Sequence, residues 1–421
     1  MIHFEKFKLD NGLTVIVHED KSTPLAAINI LYDVGAKDED PGRTGFAHLF
    51  EHLMFGGSVN IPRYDEALEK AGGENNAFTN NDITNYYLTL PAGNIETGFW
   101  LESDRMLSLA FSEKSLEVQR HVVIEEFNER YLNQPYGDVW LLLRPLAYKV
   151  HPYRWNTIGK EISHIAEAKL QDVKDFFARF YFPANAIMVV AGNVRTAEIK
   201  KLAEKWFGPI PSGSKEKRIL PSEPEQKEKR IMSVSRDVPA NALYKAYHTG
   251  PRTASLFYAE DLLTDILAEG KSSRLYNSLV KDKKLFSEID LYLSGDVEPG
   301  LVVAEGKLHK GIPMEQAEAA LQEELNRVCK EYVTEEEIEK VKNKMEAALL
   351  FSEVNVLNKA MNLAFWELLG GASLANKEID FYRSVTREQI RERASGIFNE
   401  SNSSTLYYLA EKQGGKPAIP A

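Results

Sequence analysis

Hydrophobic and polar positions along the first half of the chain follow two rhythms. Short strand-like runs at Phe4–Leu9, Thr14–His18 and Leu25–Val34 predict strands, and Asp10-Asn11-Gly12 between the first two is a hairpin signal. Periods near 3.6 predict helices at Gly45–Phe55, Arg63–Ala71, Ile95–Ala110, Ser115–Tyr131, Leu170–Phe180 and Ala197–Phe207. Ile83–Leu90 reads as an extended segment and Ile187–Ala191 as a buried strand. Strands and helices mix without strict alternation, so the pattern predicts α+β layers rather than a parallel barrel.

The stretch from Gly208 to Arg230 is rich in Pro, Ser, Gly and charge, and reads as a solvated linker. Beyond it the opening plan repeats. Strands are expected at Ile231–Val234, Ala242–His248, Phe286–Ser294 and Leu301–Leu308, with helices at Ala254–Ala268, Ser273–Lys281 and from Met314 onward. Thr405–Leu409 is a late strand matching Ile187–Ala191. The expected architecture is two homologous domains of about 200 residues, each a mainly antiparallel sheet packed against helices. Their bounds are 1–208 and 230–421, joined by a linker at 209–229.

Bulk properties narrow the function. A chain of 421 residues exceeds the usual single core. Its 43% hydrophobic and 27% charged residues are an ordinary balance for a soluble globular protein. A net charge of −11 argues against nucleic acid, whose phosphates need a basic surface. No run reaches the length of a membrane span, and the N-terminus lacks the apolar stretch of a signal peptide. Cys329 is the only cysteine, so no intramolecular disulfide exists. That suits a reducing compartment: a cytoplasmic location is expected, or a periplasmic one if a leader has been removed.

The densest chemistry lies at His48-Leu49-Phe50-Glu51-His52. On a helix the two histidines are one turn apart and project from one face, where they can grip a single ion. Glu51 leans over the same face without being needed as a ligand. Apolar neighbours on both sides bury this helix, and two histidines with a glutamate are costly there unless something pairs with them. The order His-x-x-Glu-His is the inverzincin hydrolase signature. A third ligand is expected from the acidic helix Ser115–Arg130, where periodicity alone leaves Glu125, Glu126 and Glu129 open.

His48–His52 followed by Val123-Ile124-Glu125-Glu126 resembles the pitrilysin-type zinc peptidases, which include insulin-degrading enzyme and the mitochondrial processing peptidase. Gly72–Thr79 with Asp82, Thr84 and Tyr86-Tyr87, then His151-Pro152-Tyr153, Tyr181–Ala186 and Gly270–Tyr276, are similar to further stretches of that family. The resemblance implies one zinc ion (Zn2+) per chain, held by His48, His52 and Glu126, the last lying 74 residues beyond His52. It implies Glu51 as general base and a peptide substrate laid as an extra strand along Asn76, Ala77, Phe78 and Thr79 in a closed chamber.

Two positions depart from the family pattern. Gln119 stands where relatives often place an acid supporting the third ligand, and Lys281 and Ser287 stand about where many carry an arginine and a tyrosine. Some relatives divide the work between a zinc-bearing subunit and a homologue that supplies the Arg/Tyr pair. The resemblance therefore implies the zinc-bearing member of such a heterodimer, with a homodimer as the alternative. A non-catalytic structural subunit and a peptide-binding clamp are the rival readings.

Overall fold

The computed structural model of the chain describes residues 1–215 and 218–411, so two residues of the expected linker and the last ten of the expected second domain lie outside the described residues. It divides into two compact units. The first comprises Met1–Asn128, Val150–Ser222 and Asn343–Arg383; the second comprises Glu129–Lys149, Glu223–Lys342 and the described residues from Ser384 on.

The first unit is built on a six-stranded sheet: β1 (Glu5–Lys8), β2 (Thr14–Glu19), β3 (Leu25–Tyr32), β4 (Glu74–Thr79), β5 (Thr84–Pro91) and β6 (Ala186–Gly192). Their order is β1-β2-β6-β3-β5-β4, antiparallel throughout except for the parallel β2–β6 pair. Strand β3 is buried from Ala26 to Tyr32 on both faces, so both sides of the sheet need cover. Helix Val356–Leu369 covers β3 and β6 with Val356, Ala360, Leu363 and Ala364. Four helices follow β3 in the chain: α1 (Phe46–Leu53), α2 (Tyr64–Lys70), α3 (Ile95–Leu107) and α4 (Glu113–Phe127). Gly98 lets α3 approach the sheet, since a Cβ there would meet Ile28 Cδ1 at 2.8 Å.

The second unit is a five-stranded sheet of β7 (Arg230–Arg236), β8 (Ala242–His248), β9 (Phe286–Leu293), β10 (Leu301–Leu308) and β11 (Ser403–Ala410). Its order is β7-β11-β8-β10-β9, with β7 and β11 parallel and the other pairs antiparallel. Position by position this repeats β2-β6-β3-β5-β4, including the one parallel pair. The expected duplication is therefore visible in the strand order.

Two features differ from the plain sequence reading. The compact units do not follow contiguous halves: Asn343–Arg383 joins the first sheet and Glu129–Lys149 the second. The apolar need of β3 explains the first transfer. The expected linker is mostly exposed, as its composition suggests, but it is pinned at several points. Arg218 bridges Asp33 and Asp38 at 2.6 Å each, and Lys215 reaches Asp33 at 2.9 Å. Further on, Gln226 is buried and donates to the Ser403 carbonyl at 2.7 Å. Its charges and amides are used as anchors.

Candidate metal centre

Helix α1 starts at a bend that only glycine tolerates. Gly45 has φ +89°, and a Cβ on it would meet the Ile158 carbonyl oxygen at 2.7 Å. Phe46, Ala47, Leu49, Phe50 and Leu53 are buried, with the Phe50 ring stacked on Phe176 and Tyr181 at centroid distances of 5.0 and 5.2 Å. That packing fixes the rotation of the helix and leaves His48, Glu51 and His52 half-buried on the remaining side. The two imidazoles stand edge to face, with ring centroids 4.8 Å apart.

Helix α4 brings the third group. Its Ser112 side chain caps the first turn, and Leu116, Val123 and Phe127 are buried. Glu125 and Glu129 point to solvent, whereas Glu126 is half-buried. Of the three glutamates that periodicity left open, Glu126 is the one that faces the two histidines. Glu126 Oε2 lies 3.6 Å from His48 Nε2 and 3.3 Å from His52 Nε2. Among the described residues this is the set of His, Cys, Asp and Glu groups whose ligand atoms converge, all within 4.8 Å of one another.

The donor set fits zinc. Tetrahedral ligands at 2.0–2.2 Å from an ion lie roughly 3.3–3.6 Å apart, which is the spacing of Glu126 from the two imidazoles. Two imidazole nitrogens and one carboxylate oxygen leave a fourth position open, as hydrolytic zinc sites do.

Glu51 is adjacent to this set. Burial pushes its carboxyl above the ordinary carboxylate range, opposed by hydrogen bonding from the Thr79 hydroxyl and by the nearby His52, while Glu126 adds to the rise. Thr79 closes β4, the edge strand of its sheet, which pairs with β5 through Asn76–Tyr87, Ala77–Tyr86, Phe78–Asn85 and Thr79–Thr84 and, among the described residues, has no strand partner on its other edge. Asn76 and Phe78 are exposed on this strand, and Ala77 is buried.

A family model described as Insulinase (Peptidase family M16) matches residues 14–144, and one described as Peptidase M16 inactive domain matches residues 167–345. The zinc protease PqqE of Helicobacter pylori is 32% identical over 358 residues, which cover 82% of this chain and 78% of that protein. The chain belongs to peptidase family M16, the pitrilysin type. The β subunit of the mitochondrial-processing peptidase of Saccharomyces cerevisiae is 28% identical over 207 residues, covering 48% of this chain and 44% of that subunit. The crystal structure of a protease from Helicobacter pylori superposes with a TM-score of 0.90 at 26% identity, covering 97% of this chain and all (100%) of that one. The crystal structure of pitrilysin gives 0.78 at 18% identity, covering 99% of this chain and 46% of that one, and there the likeness is one of fold.

The positions that depart from the M16 pattern are also placed. Gln119 is half-buried on α4, two turns before Glu126 on the same helix. In the second unit Lys281 is exposed, and so is Ser287, whose hydroxyl donates to the Lys307 carbonyl at 3.1 Å.

One residue of this M16 site escaped sequence reasoning. Glu39 is buried, and its two oxygens accept the N–H groups of Gly45 at 2.9 Å and Ala47 at 2.8 Å. Burial pushes its carboxyl up to about 8, against the pull of those two N–H groups. It stands six residues before the bend, outside any helix-capping spacing, so the sequence carries no local signal for it.

Proposed function

We propose that this chain is a zinc-dependent endopeptidase that cleaves peptides or unfolded polypeptide segments and works as the zinc-bearing member of a dimer. The observation that carries this reading is the convergence of His48 Nε2, His52 Nε2 and Glu126 Oε2 with Glu51 beside them. These three residues would hold one zinc ion per chain. The chemistry zinc supplies when bound is Lewis acidity, which brings the pKa of water toward neutrality and polarises a carbonyl.

The rest falls to the chain's own groups. The Glu51 carboxylate accepts a proton from the attacking water and hands it to the leaving amine nitrogen. Half-burial keeps bulk water from competing for that proton. An extended peptide adds to the unpaired edge of β4, where the backbone of Asn76, Ala77, Phe78 and Thr79 provides affinity with little demand on sequence. Only an unfolded segment can present such a strand, hence the substrate class. Zinc proteases among the relatives support the reaction class.

A non-catalytic subunit or a mere peptide clamp would have no use for Glu51. Glu51→Gln keeps the shape of the side chain but cannot take up the proton. Turnover of a quenched peptide should fall by about 10²–10⁴-fold while zinc content stays at one per chain. Unchanged turnover, with zinc verified, would remove Glu51 from the mechanism; no turnover by the wild-type chain, alone or with any homologue, would favour the clamp.

A further inference from the structure

Glu39 does more than satisfy a helix end. Gly45 has no side chain to cap α1, and the helix receives no side-chain cap from its own first residues. Glu39 supplies that cap from a separate turn, with one carboxylate oxygen on each of two N–H groups. Ala47, the second donor, immediately precedes His48.

The turn that carries Glu39 is in turn tied to the end of the candidate substrate strand. The Ala36 N–H donates to the Asn80 carbonyl at 3.1 Å and the Lys37 N–H to the Asn81 carbonyl at 2.9 Å. Lys37 Nζ pairs with the buried Asp82 carboxylate at 2.8 Å. Asn80, Asn81 and Asp82 form the connection between β4 and β5. One continuous set of hydrogen bonds therefore runs from the exit of β4, through residues 36–39, to the first turn of α1. The two ends also meet directly, since α1 packs against β4.

We propose that Glu39 is the positioning residue that registers the metal helix against the substrate strand, setting the aim of His48, Glu51 and His52. This rests on the zinc-peptidase reading for its consequences in catalysis, though not for the grip itself. Burying the Glu39 carboxyl is costly, and the cost is met here by two N–H donors to its two oxygens, with the positive end of the helix dipole favouring its ionised form. Glutamine at the same place offers one acceptor oxygen and turns an NH2 group toward the second donor. Aspartate is one methylene short and reaches one N–H only. The start of α1 then shifts, and near-ångström misplacement of reacting groups costs on the order of 10²-fold in rate.

The test compares wild type, Glu39→Gln and Glu39→Asp by amide hydrogen exchange of the metal-free protein, followed by zinc affinity from chelator competition. In Glu39→Gln the Gly45 and Ala47 amides should exchange at least about tenfold faster while β3 and β6 keep their protection, and zinc should bind about 10–100-fold more weakly, the usual loss when an outer partner of a ligand is removed. Peptide turnover should show a lower kcat with an unchanged KM, because β4 stays in place, and Glu39→Asp should lie between the two. Wild-type exchange at Gly45 and Ala47 together with wild-type zinc affinity in Glu39→Gln would overturn the proposal. A general loss of protection in Glu39→Gln that Glu39→Asp shares would also overturn it, showing a purely structural residue. If the wild-type chain takes up no zinc, the peptidase reading fails by that result, and the exchange comparison still decides the grip.

Discussion

Helix α1 and helix Phe257–Ala268 follow the corresponding central strands, β3 and β8, of two sheets with the same order, and they use their polar side chains in opposite ways. On Phe257–Ala268 the buried Glu260 accepts hydrogen bonds from the Thr249 hydroxyl and from Arg393 Nε, the latter at 2.7 Å, so its charge is spent within the unit. On α1, His48 and His52 turn toward each other and toward Glu126 of α4, so that the ligand atoms of the three side chains converge. Paired acids hold a fold together, whereas acids and imidazoles converging at 3.3–3.6 Å form a site for an ion. The duplicated scaffold tolerates either use, and a handful of side chains decides which half gathers a set of metal-ligating groups.

The sharpest way to break this comparison is to ask what the second half fails to supply. The proposed dimer rests on Lys281 and Ser287, both exposed, standing where a homologue would supply an arginine and a tyrosine for a developing oxyanion. Turnover by the purified chain should therefore be weak and should rise on the order of 10²–10³-fold when titrated with a zinc-less homologue that carries both residues. High activity alone, indifferent to any homologue, would instead point to a self-sufficient homodimer.

A smaller effect separates the candidate third ligands. Glu126→Gln should weaken zinc binding about 10–100-fold, since an amide oxygen is a poorer ligand than a carboxylate. Glu125→Gln, at an exposed position one residue away, should leave it unchanged. Equal effects in a chelator titration would mean that the site is only an acidic surface.

The counterpart helix should respond in stability rather than in metal. Arg393→Ala leaves Glu260 buried without its cation, and denaturant unfolding should lose on the order of 1–2 kcal/mol. That is below the value for a fully buried pair because Arg393 reaches solvent. Zinc content should not change.

The smallest effect is in acid. In the second unit Glu318 is held down to about 2 although burial pushes it up, because Lys229, Tyr407 and Lys245 hydrogen-bond its carboxylate. A depressed acid stabilises the fold above its unfolded value of 4.5 and loses that contribution as pH falls toward 2. Glu39 in the first unit runs the other way: raised to about 8, it favours the fold most below 4.5 and loses that advantage as pH rises through 8. Hydrogen exchange corrected for intrinsic rates should show β8 and β11 opening before β3 and β6 as pH drops from 5 to 3. The reverse order would contradict these assignments.

Much of this was legible in the sequence, for local reasons. Leu170–Phe180 and Leu301–Leu308 lie where their periodicity predicts, because each buries a face defined by its own residues. His48, Glu51 and His52 were legible because one helical turn sets their geometry. Glu126 needed more, since Glu125 and Glu129 share its helix and only the packing of Val123 and Phe127 tells them apart. The transfer of Val356–Leu369 to the first sheet was hidden, because an apolar helix face does not say which sheet it covers. Glu39 and the anchoring of Arg218 were hidden as well, both depending on contacts made across bends rather than along an element.

Zinc stoichiometry tests the central claim most directly. Elemental analysis of the purified wild-type chain should find one zinc per chain, and the His48→Ala/His52→Ala double variant, shown to be folded, should hold none. Full zinc occupancy in the double variant, or none in a folded wild type supplied with zinc, would contradict the assignment of His48, His52 and Glu126 as the metal centre.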